Sequence, residues 1–193
     1  MEVYVLRHAQ STYNQWAFKH WFKPWEWMSE SPEFYDANLT EKGRKQARKA
    51  REKYQDVVAR CDLIICSPFT RAIETMKIVF EGSECPVIIT PLIAERTDTT
   101  CDIGLPLSQL RALHPDYEFM HFEDEYWWFC DKNNPKVLIK EPRDSVCRRA
   151  LRFDDFLNTR KEKVIVIVTH GHFIRMFLRE NLMLGNCSMK KVR

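Results

Sequence analysis

Two arginines and two histidines follow predicted strands, in positions suited to binding and attacking a phosphoryl group. Arg7 and His8 come directly after the first strand, and Arg71 comes shortly after the second. His170 follows the last one. Because the carboxyl ends of parallel strands lie at one edge of a sheet, we expect these side chains to converge. A guanidinium binds phosphoryl oxygens in pairs, and a neutral imidazole can attack phosphorus. Taken alone, the Arg7-His8 pair is equally compatible with a solvated loop, so the later strand ends carry the interpretation.

Strand-like runs alternate with helix-like segments, which predicts an α/β layered fold with a mainly parallel sheet. The run at 164–168 is unbroken in β-branched residues, which is typical of a central strand covered on both faces. No internal repeat or linker divides the chain, so residues 1–193 are expected to form one domain. The predicted strands are 2–6, 61–66, 86–90 and 164–168.

Helices are predicted between these strands. Apolar and small residues at spacings of three and four predict a helix that runs to about Arg60. Arg71 falls in the first turn of the next helix, where a cation opposes the helix dipole by about 0.3–1 kcal/mol. An anion bound at that helix end would account for it. A short helix is predicted over Leu107–Leu113, and another follows His170. The predicted N-caps are Thr40, Ser67 and either Asp144 or Ser145.

The bulk composition is that of an ordinary globular protein. Of 193 residues, 45% are hydrophobic and 30% charged, and the net charge of +3 is too small to indicate nucleic-acid binding. No apolar run approaches the roughly 20 residues of a membrane helix, and the N-terminus lacks a signal-peptide pattern. Seven scattered cysteines without a C-x-x-C pair predict free thiols in a reducing compartment. We therefore expect a cytoplasmic protein that binds neither membrane nor nucleic acid, and its oligomeric state stays open.

Four stretches occur in an order and spacing that span nearly the whole chain. They resemble the histidine phosphatase superfamily, also called phosphoglycerate mutase-like, whose signature is R-H-G after the first strand. The resemblance implies a three-layer α/β/α fold with a mainly parallel central sheet. The stretches are Arg7-His8-Ala9-Gln10-Ser11-Thr12-Tyr13-Asn14, Asp36-Ala37-Asn38-Leu39-Thr40-Glu41-Lys42-Gly43, Ser67-Pro68-Phe69-Thr70-Arg71-Ala72-Ile73-Glu74-Thr75 and Val168-Thr169-His170-Gly171-His172.

The resemblance implies a phosphomonoester hydrolase that works through a phosphohistidine on His8. Arg7, Arg71 and His170 would hold the phosphoryl oxygens and stabilise the charge that builds in the transition state. The substrate would be a small phosphorylated metabolite or another phosphomonoester. No metal or cofactor is expected, because the arginines supply the positive charge. Ala9 departs from the family's usual glycine and adds a methyl group beside the phosphate.

The general acid and base implied by the resemblance is Glu95, which follows the third strand. It would protonate the leaving oxygen and then deprotonate the attacking water. Asp98 and Asp102 lie nearby and are alternatives. His172 stands where glycine is common in the family, which adds a candidate substrate contact or an extra positive charge. The substrate-binding candidates are Ser11, Asn14, Gly171 and His172.

Two other chemistries match the sequence poorly. Cysteine phosphatases use C-x5-R, but only four residues separate Cys66 from Arg71. A zinc site at His170 and His172 is disfavoured, because alternate residues of a strand face opposite ways and no third ligand is evident.

A cofactor-dependent phosphoglycerate mutase and a non-catalytic phosphate-binding module are the remaining alternatives. Such mutases carry an N-R-F-x-G-W-like stretch soon after R-H-G, and this chain has aromatic residues and Lys23-Pro24 there instead. A binding module would keep the arginines and lose His8 or the acid, whereas this chain offers both. Hydrolysis is therefore favoured over both alternatives.

Two segments are unusually aromatic, one from Trp16 to Trp27 and one from Tyr117 to Trp128. Aromatic pairs contribute about 0.5–1.5 kcal/mol beyond area burial, enough to order a long insert. We expect both segments to pack near the pocket mouth and narrow it. The alternative is a remote satellite core.

Overall fold

A computed structural model of the chain describes residues 1–20, 22, 31–182 and 184–193. Its strands are Glu2–Arg7 (β1), Leu63–Cys66 (β2), Val87–Ile89 (β3), Glu118–Phe119 (β4), Val164–Thr169 (β5) and Met189–Lys191 (β6). They form one sheet in the order β4-β3-β2-β5-β1-β6, in which only β6 runs antiparallel to its neighbour among these strands. The predicted α/β fold with a mainly parallel sheet is confirmed, and β4 and β6 were not predicted.

Helices cover both faces of this sheet. They are Thr12–Lys19 (α1), Glu41–Lys53 (α2), Gln55–Ala59 (α3), Thr70–Val79 (α4), Leu107–Leu113 (α5), Arg143–Asn158 (α6) and Gly171–Leu178 (α7). Three-residue 3-10 helices lie at Pro32–Phe34, Pro91–Ile93 and Thr100–Asp102. None of the helices in the described ranges has both the length and the apolar content needed to cross a membrane.

The core lies on both sides of β5, whose six residues are all buried. Val166 and Val168 face one cluster, which contains the buried residues of α2 and α4. Ile165 and Ile167 face the other, which contains the buried faces of α6 and α7. The result is the three-layer arrangement that the family resemblance implied, with β5 central as predicted.

The strand register brings the candidate residues to one edge. Leu6 of β1 and Cys66 of β2 both pair with Val168 of β5, so the three strands end at the same level. The residues that follow them, His8 among them, therefore lie side by side. This register is the structural basis of the site described below.

The helix that carries Arg71 begins later than predicted. Ser67 is not its N-cap, because α4 begins at Thr70 with Phe69 as the cap residue. The Asp36 carboxylate accepts hydrogen bonds from the Thr70 amide (2.9 Å) and hydroxyl (2.5 Å) and so supplies the anion at this helix end. Arg71 does lie in the first turn, as predicted.

Two other helix predictions also need correction. The helix expected to run to about Arg60 is interrupted at Tyr54, which separates α2 from α3. Neither Asp144 nor Ser145 caps α6, whose N-cap is Pro142. The Ser145 hydroxyl instead donates to Glu141 Oε1 (2.7 Å), a buried carboxylate, which explains why it is not available as a cap.

Gly43 permits a close contact between α2 and the loop that follows His8. A Cβ at Gly43 would overlap the carbonyl oxygen of Gln10. That carbonyl accepts the Thr40 amide (3.0 Å), and the Gln10 amide donates to Gln46 Oε1 (2.9 Å), so the loop cannot move aside freely. Glycine is required here by the approach of backbone to backbone.

We predict that Gly43→Ala lowers the free energy of unfolding by about 1–3 kcal/mol, because overpacking outweighs alanine's better helix propensity. Urea unfolding measures it. The matched control is Gly185→Ala, whose Cβ would meet the Ser188 hydroxyl at 3.4 Å, an ordinary contact. Equal stability of the two variants would contradict the overlap.

Candidate active site

His8 presents a neutral imidazole at the end of β1. Its side chain is almost fully buried, and its backbone amide donates to Thr169 O (2.9 Å). Nδ1 lies 2.7 Å from the Ala9 carbonyl, a group that only accepts, so Nδ1 carries the proton and Nε2 keeps its lone pair. Burial, followed by the positive charges of Arg71 and Arg7, lowers the pKa of His8 to about 3. The residue is therefore uncharged at neutral pH, as a nucleophile must be.

His170 stands next to His8 at the end of β5. The two ring centroids are 5.0 Å apart, and His170 is fully buried. Its Nε2 bonds to the Ser67 hydroxyl (2.7 Å), while its Nδ1 is buried without a hydrogen-bond partner among the described residues. Burial and the charge of Arg71 hold the pKa of His170 well below its usual value. The imidazole is neutral, and a proton on Nδ1 would be available to an oxygen placed beside it.

Arg7 brings a positive charge into a cavity of about 330 Å³. Its Nη1 donates to the Leu184 carbonyl (2.6 Å), and its Nε is buried with no acceptor in the part of the chain that the structure describes. A buried N–H of a charged group without an acceptor is costly, which favours a ligand here. Seven of the nine predicted site residues line this cavity: Arg7, His8, Asn14, Arg71, Glu95, Gly171 and His172.

Arg71 is held rigidly in the same cavity. Its Nη1 donates to the Cys101 carbonyl (2.6 Å), its Nη2 to Asp102 Oδ1 (2.8 Å), and its guanidinium lies 4.3 Å from the Phe69 ring centroid. Two of its five N–H groups are thereby used, and the others remain for a ligand. Asp102 accepts further hydrogen bonds through Oδ2 from the amides of Asp98 and Thr99. Its carboxylate is therefore occupied in orienting Arg71.

Glu95 is placed at the N-terminus of α7 by backbone hydrogen bonds. Its Oε1 accepts from the amides of Phe173 (3.2 Å) and Arg96 (3.0 Å), and its Oε2 from the amide of His172 (3.2 Å). Burial works to raise the pKa of Glu95, but the His172 side chain, the Arg96 amide and the charge of Arg71 together lower it to about 2. The carboxylate is therefore ionised at neutral pH.

The sequence analysis missed a buried ion pair that fixes the segment before Glu95. Arg149 donates to the carbonyls of Leu92 (3.0 Å) and Ala94 (3.1 Å), and its Nη2 lies 2.9 Å from Glu141 Oε2. Glu141 is nearly inaccessible to solvent. Glu141 precedes α6 and Arg149 lies within it, eight residues further along the chain. This spacing carries no recognisable signal without the tertiary contact.

The substrate-binding candidates differ in where the structure places them. Asn14 lines the cavity, and its Oδ1 accepts from Asn186 Nδ2 (3.3 Å). Gly171 lies against Arg7, but a Cβ at Gly171 would meet the guanidinium carbon at 3.5 Å, so glycine is not sterically required there. His172 is exposed, with Nδ1 3.7 Å from Glu95 Oε2. Ser11 was predicted to bind substrate, but it is fully buried and its hydroxyl caps α1.

The second aromatic segment does not narrow this cavity. Trp127 packs on Phe69 at 4.8 Å between centroids and donates to the Leu105 carbonyl (2.8 Å). Together with Trp128 it lines a different cavity, next to Arg149. The expectation that residues 117–128 narrow the cavity mouth is therefore wrong, because Trp127 packs against Phe69 and faces a different cavity.

Of the first aromatic segment, Ala17 lines the cavity. Trp16 instead stacks on His20 and packs against Phe34. Tyr13, which precedes the segment on α1, also lines the cavity. Residues 21 and 23–30, which carry the rest of this prediction, lie outside the described residues.

Cys66 is unsuited to act as a nucleophile. It is fully buried, and burial raises the pKa of its thiol far above the usual value. The thiolate is the reactive form of cysteine, so this residue is inert. All seven cysteines are free thiols in the structure, and Cys147 is exposed. In the described ranges no group of three or more His, Cys, Asp or Glu side chains is arranged to hold a metal ion.

The low pKa of His8 predicts a loss of stability in acid. Between pH 6.5 and pH 3 the unfolded chain binds a proton at this residue and the folded chain does not, so stability falls as the pH falls. At pH 4.5 the loss from His8 is about 2–3 kcal/mol relative to pH 7, since each pKa unit corresponds to about 1.4 kcal/mol. Urea unfolding of wild type and His8→Gln at both pH values isolates the contribution of His8 to this loss of stability. The wild type should lose more stability than the variant by that amount, and parallel losses would contradict the prediction.

Comparison with known proteins identifies the family. A sequence profile of the histidine phosphatase superfamily (branch 1) matches residues 3–193. The chain therefore belongs to the histidine phosphatase superfamily, in agreement with the four motifs.

Individual relatives agree with this assignment. The chain is 30% identical over 147 residues to a probable phosphatase of Schizosaccharomyces pombe, a match that covers 74% of this chain and 66% of the relative. It is 26% identical over 205 residues to phosphoglycerate mutase-like protein 1 of Arabidopsis thaliana, covering 89% of this chain and 68% of the relative. The chain thus spans about two thirds of the length of each. The ecdysone phosphate phosphatase of Bombix mori, solved with tungstate, shares the fold at a TM-score of 0.64 and 13% identity, covering 100% of this chain and 88% of that one.

Proposed function

We propose that this protein is a phosphomonoester hydrolase that acts through a phosphohistidine on His8. The observation that carries the proposal is a neutral, buried His8 in one cavity with Arg7, Arg71 and Glu95. The name of the Schizosaccharomyces pombe relative, a probable phosphatase, supports the reaction class.

Arg7, Arg71 and His170 bind the phosphoryl oxygens in this proposal. The unpartnered Nε of Arg7 and Nδ1 of His170 supply donors. Arg71 supplies the N–H groups not used by Cys101 and Asp102. These groups are fixed before substrate arrives, so they stabilise the charge that grows on the oxygens without reorganising. Asn14, Gly171 and His172 line the cavity around the bound ester.

The reaction has two steps. His8 Nε2 attacks phosphorus as the ester oxygen leaves, and Glu95 gives that oxygen a proton, releasing the alcohol. The negative charge of the bound phosphate beside Glu95 raises the pKa of that carboxyl, so in this proposal the carboxylate takes up a proton from solvent as the ester binds. Glu95 then accepts a proton from water, which attacks the phosphohistidine and releases inorganic phosphate and free His8.

The test is release of inorganic phosphate by the purified chain from p-nitrophenyl phosphate and 3-phosphoglycerate. A parallel incubation contains 3-phosphoglycerate with 2,3-bisphosphoglycerate. Phosphate release with slow or no formation of 2-phosphoglycerate is expected. Rapid interconversion without phosphate release from any ester would show a mutase, and phosphate binding without either reaction would show a binding module.

Metal chelation is expected to leave the hydrolysis rate unchanged. Arg7 and Arg71 provide the positive charge that a metal would otherwise supply to the phosphoryl oxygens. Rates are measured after dialysis against EDTA and after return of Mg²⁺ or Zn²⁺. A rate that EDTA abolishes and a metal restores would contradict the proposed role of the arginines.

A further inference from the structure

Arg175 is a second cation of the cavity that the proposed chemistry does not use. It lies on α7 three residues after His172, so both side chains share one helix face, and both line the cavity. Its Nη2 donates to Asn181 Oδ1 (2.8 Å), a neutral amide beyond the end of the helix. Its Nε is buried without a hydrogen-bond partner among the described residues.

Each acidic residue that lines the cavity has a partner other than Arg175. Asp102 pairs with Arg71 at 2.8 Å and Asp98 with Lys140 at 3.3 Å. Glu95 is held by backbone amides and by His172. Within the described chain Arg175 and Arg7 are therefore the arginines of this cavity without a carboxylate partner, and each has an unpartnered Nε.

Arg7 and Arg175 are associated with different points along the axis of α7. Arg7 packs on Gly171, the first residue of α7, while Arg175 is four residues further along, about 6 Å along the helix axis. The bond to Asn181 ties the Arg175 guanidinium to the segment after the helix. Tyr13 and Leu182 contribute apolar surface to the same cavity.

We propose that Arg175, assisted by His172, binds a second anionic group of the substrate, so that the enzyme prefers phosphomonoesters bearing a carboxylate or a second phosphate. The inference rests on the proposed function, which places the transferable phosphate at Arg7 and His8. The second anion satisfies the Nε and the charge of Arg175, and the apolar wall contacts the carbon skeleton between the two anions.

The test measures binding, so that it does not depend on turnover. Isothermal titration compares propylphosphonate with 3-phosphonopropionate, which has the same length but ends in a carboxylate, and with propane-1,3-bisphosphonate. Wild type is expected to bind one or both of the probes with a second anionic group about tenfold or more tightly than propylphosphonate, the range of a charge-assisted hydrogen bond. Comparison of these two probes shows whether a carboxylate or a phosphate is preferred.

Three variants separate anion binding from a structural role. Arg175→Gln should bring the affinity ratio close to one, and Arg175→Lys should keep part of it because the charge remains. Asn181→Ala removes the bond between Asn181 and Arg175 but keeps the charge, so the ratio should persist. Arg148→Gln, which removes an exposed charge of α6, is the matched control and should leave the ratio unchanged.

The outcomes are distinct from those for the proposed function. Equal wild-type affinity for all three probes, or loss of the ratio in Asn181→Ala as complete as in Arg175→Gln, overturns the second anion site. Hydrolysis of p-nitrophenyl phosphate in that case leaves the phosphatase proposal standing. Conversely, a normal affinity ratio in a protein without hydrolytic activity overturns only the catalytic proposal.

Discussion

His8→Ala is expected to lower the phosphatase turnover number about 10⁴-fold or more, because removal of the nucleophile eliminates the covalent route. Wild type quenched during turnover should carry one phosphoryl group on the peptide that contains His8, detected by mass spectrometry under alkaline conditions. The variant should carry none. The effect is large because Nε2 of His8 is the one protein atom in this proposal that forms a bond to phosphorus.

Three control variants distinguish loss of the nucleophile from a folding defect. His8 is nearly inaccessible, so His8→Gln, which fills more of the space, should be as inactive as His8→Ala while melting closer to wild type. His114→Ala removes a histidine at the end of α5, outside the cavity, and should keep normal turnover. Cys66→Ser should also keep turnover, since the buried thiol takes no part. Full activity of either His8 variant would refute the nucleophile assignment.

The edge of the sheet that carries the site could be predicted because its signals are local. β5 is recognisable by an unbroken β-branched run, and such a strand must be central and covered on both faces. Once β1, β2 and β5 are parallel neighbours, the residues at their ends must meet, whatever their separation in sequence. The convergence of His8 and His170 follows from that alone.

Thr40 caps α2, as predicted, but other helix starts were placed wrongly. A hydroxyl side chain can have several hydrogen-bond partners, and the sequence does not show which of them it takes in the fold. Ser67 has the residue type of an N-cap, but His170 Nε2 takes its hydroxyl. Ser145 likewise bonds Glu141, and Ser11 caps a helix when it was expected to bind substrate. In each case a short hydroxyl side chain offered two uses, and only the fold decided between them.

The contacts that position Glu95 also could not be predicted from the sequence. Arg149 holds the segment before it through backbone carbonyls, which carry no side-chain signature. The edge strands β4 and β6 were missed for a related reason. They contain two and three residues, too few for a periodicity, and lack the β-branched residues that made the three-residue strand β3 recognisable.

Glu95→Gln is expected to reduce kcat/KM for an alkyl phosphate such as 3-phosphoglycerate about 10²–10³-fold, the range of a lost general acid. The reduction for p-nitrophenyl phosphate should be less than about tenfold, because nitrophenolate leaves without a proton and needs no general acid. Glutamine retains an oxygen for the amides that now bind the Glu95 carboxylate, so the fold should persist.

The same variant should reveal the second role of Glu95. Without a base to activate water, p-nitrophenyl phosphate should give a burst of about one nitrophenolate per enzyme and then slow turnover. Phosphohistidine should accumulate during the slow phase. Rapid-quench measurement of both products separates formation of the phosphoenzyme from its hydrolysis.

Variants at the two neighbouring carboxylates decide whether Glu95 is the acid. Burial raises the pKa of Asp102, which makes it a competitor on acidity alone, but its oxygens are occupied by Arg71 and by the amides of Asp98 and Thr99. Asp102→Asn should therefore lower kcat/KM equally for both substrates, because Arg71 loses a hydrogen bond that holds it in place. Asp98→Asn, which removes only the pair with Lys140, should change the selectivity between leaving groups little. Suppose instead that Asp102→Asn lowers kcat/KM for the alkyl ester selectively, while Glu95→Gln lowers it equally for both esters. The general acid is then Asp102, because only loss of the proton donor makes the rate depend on the basicity of the leaving group.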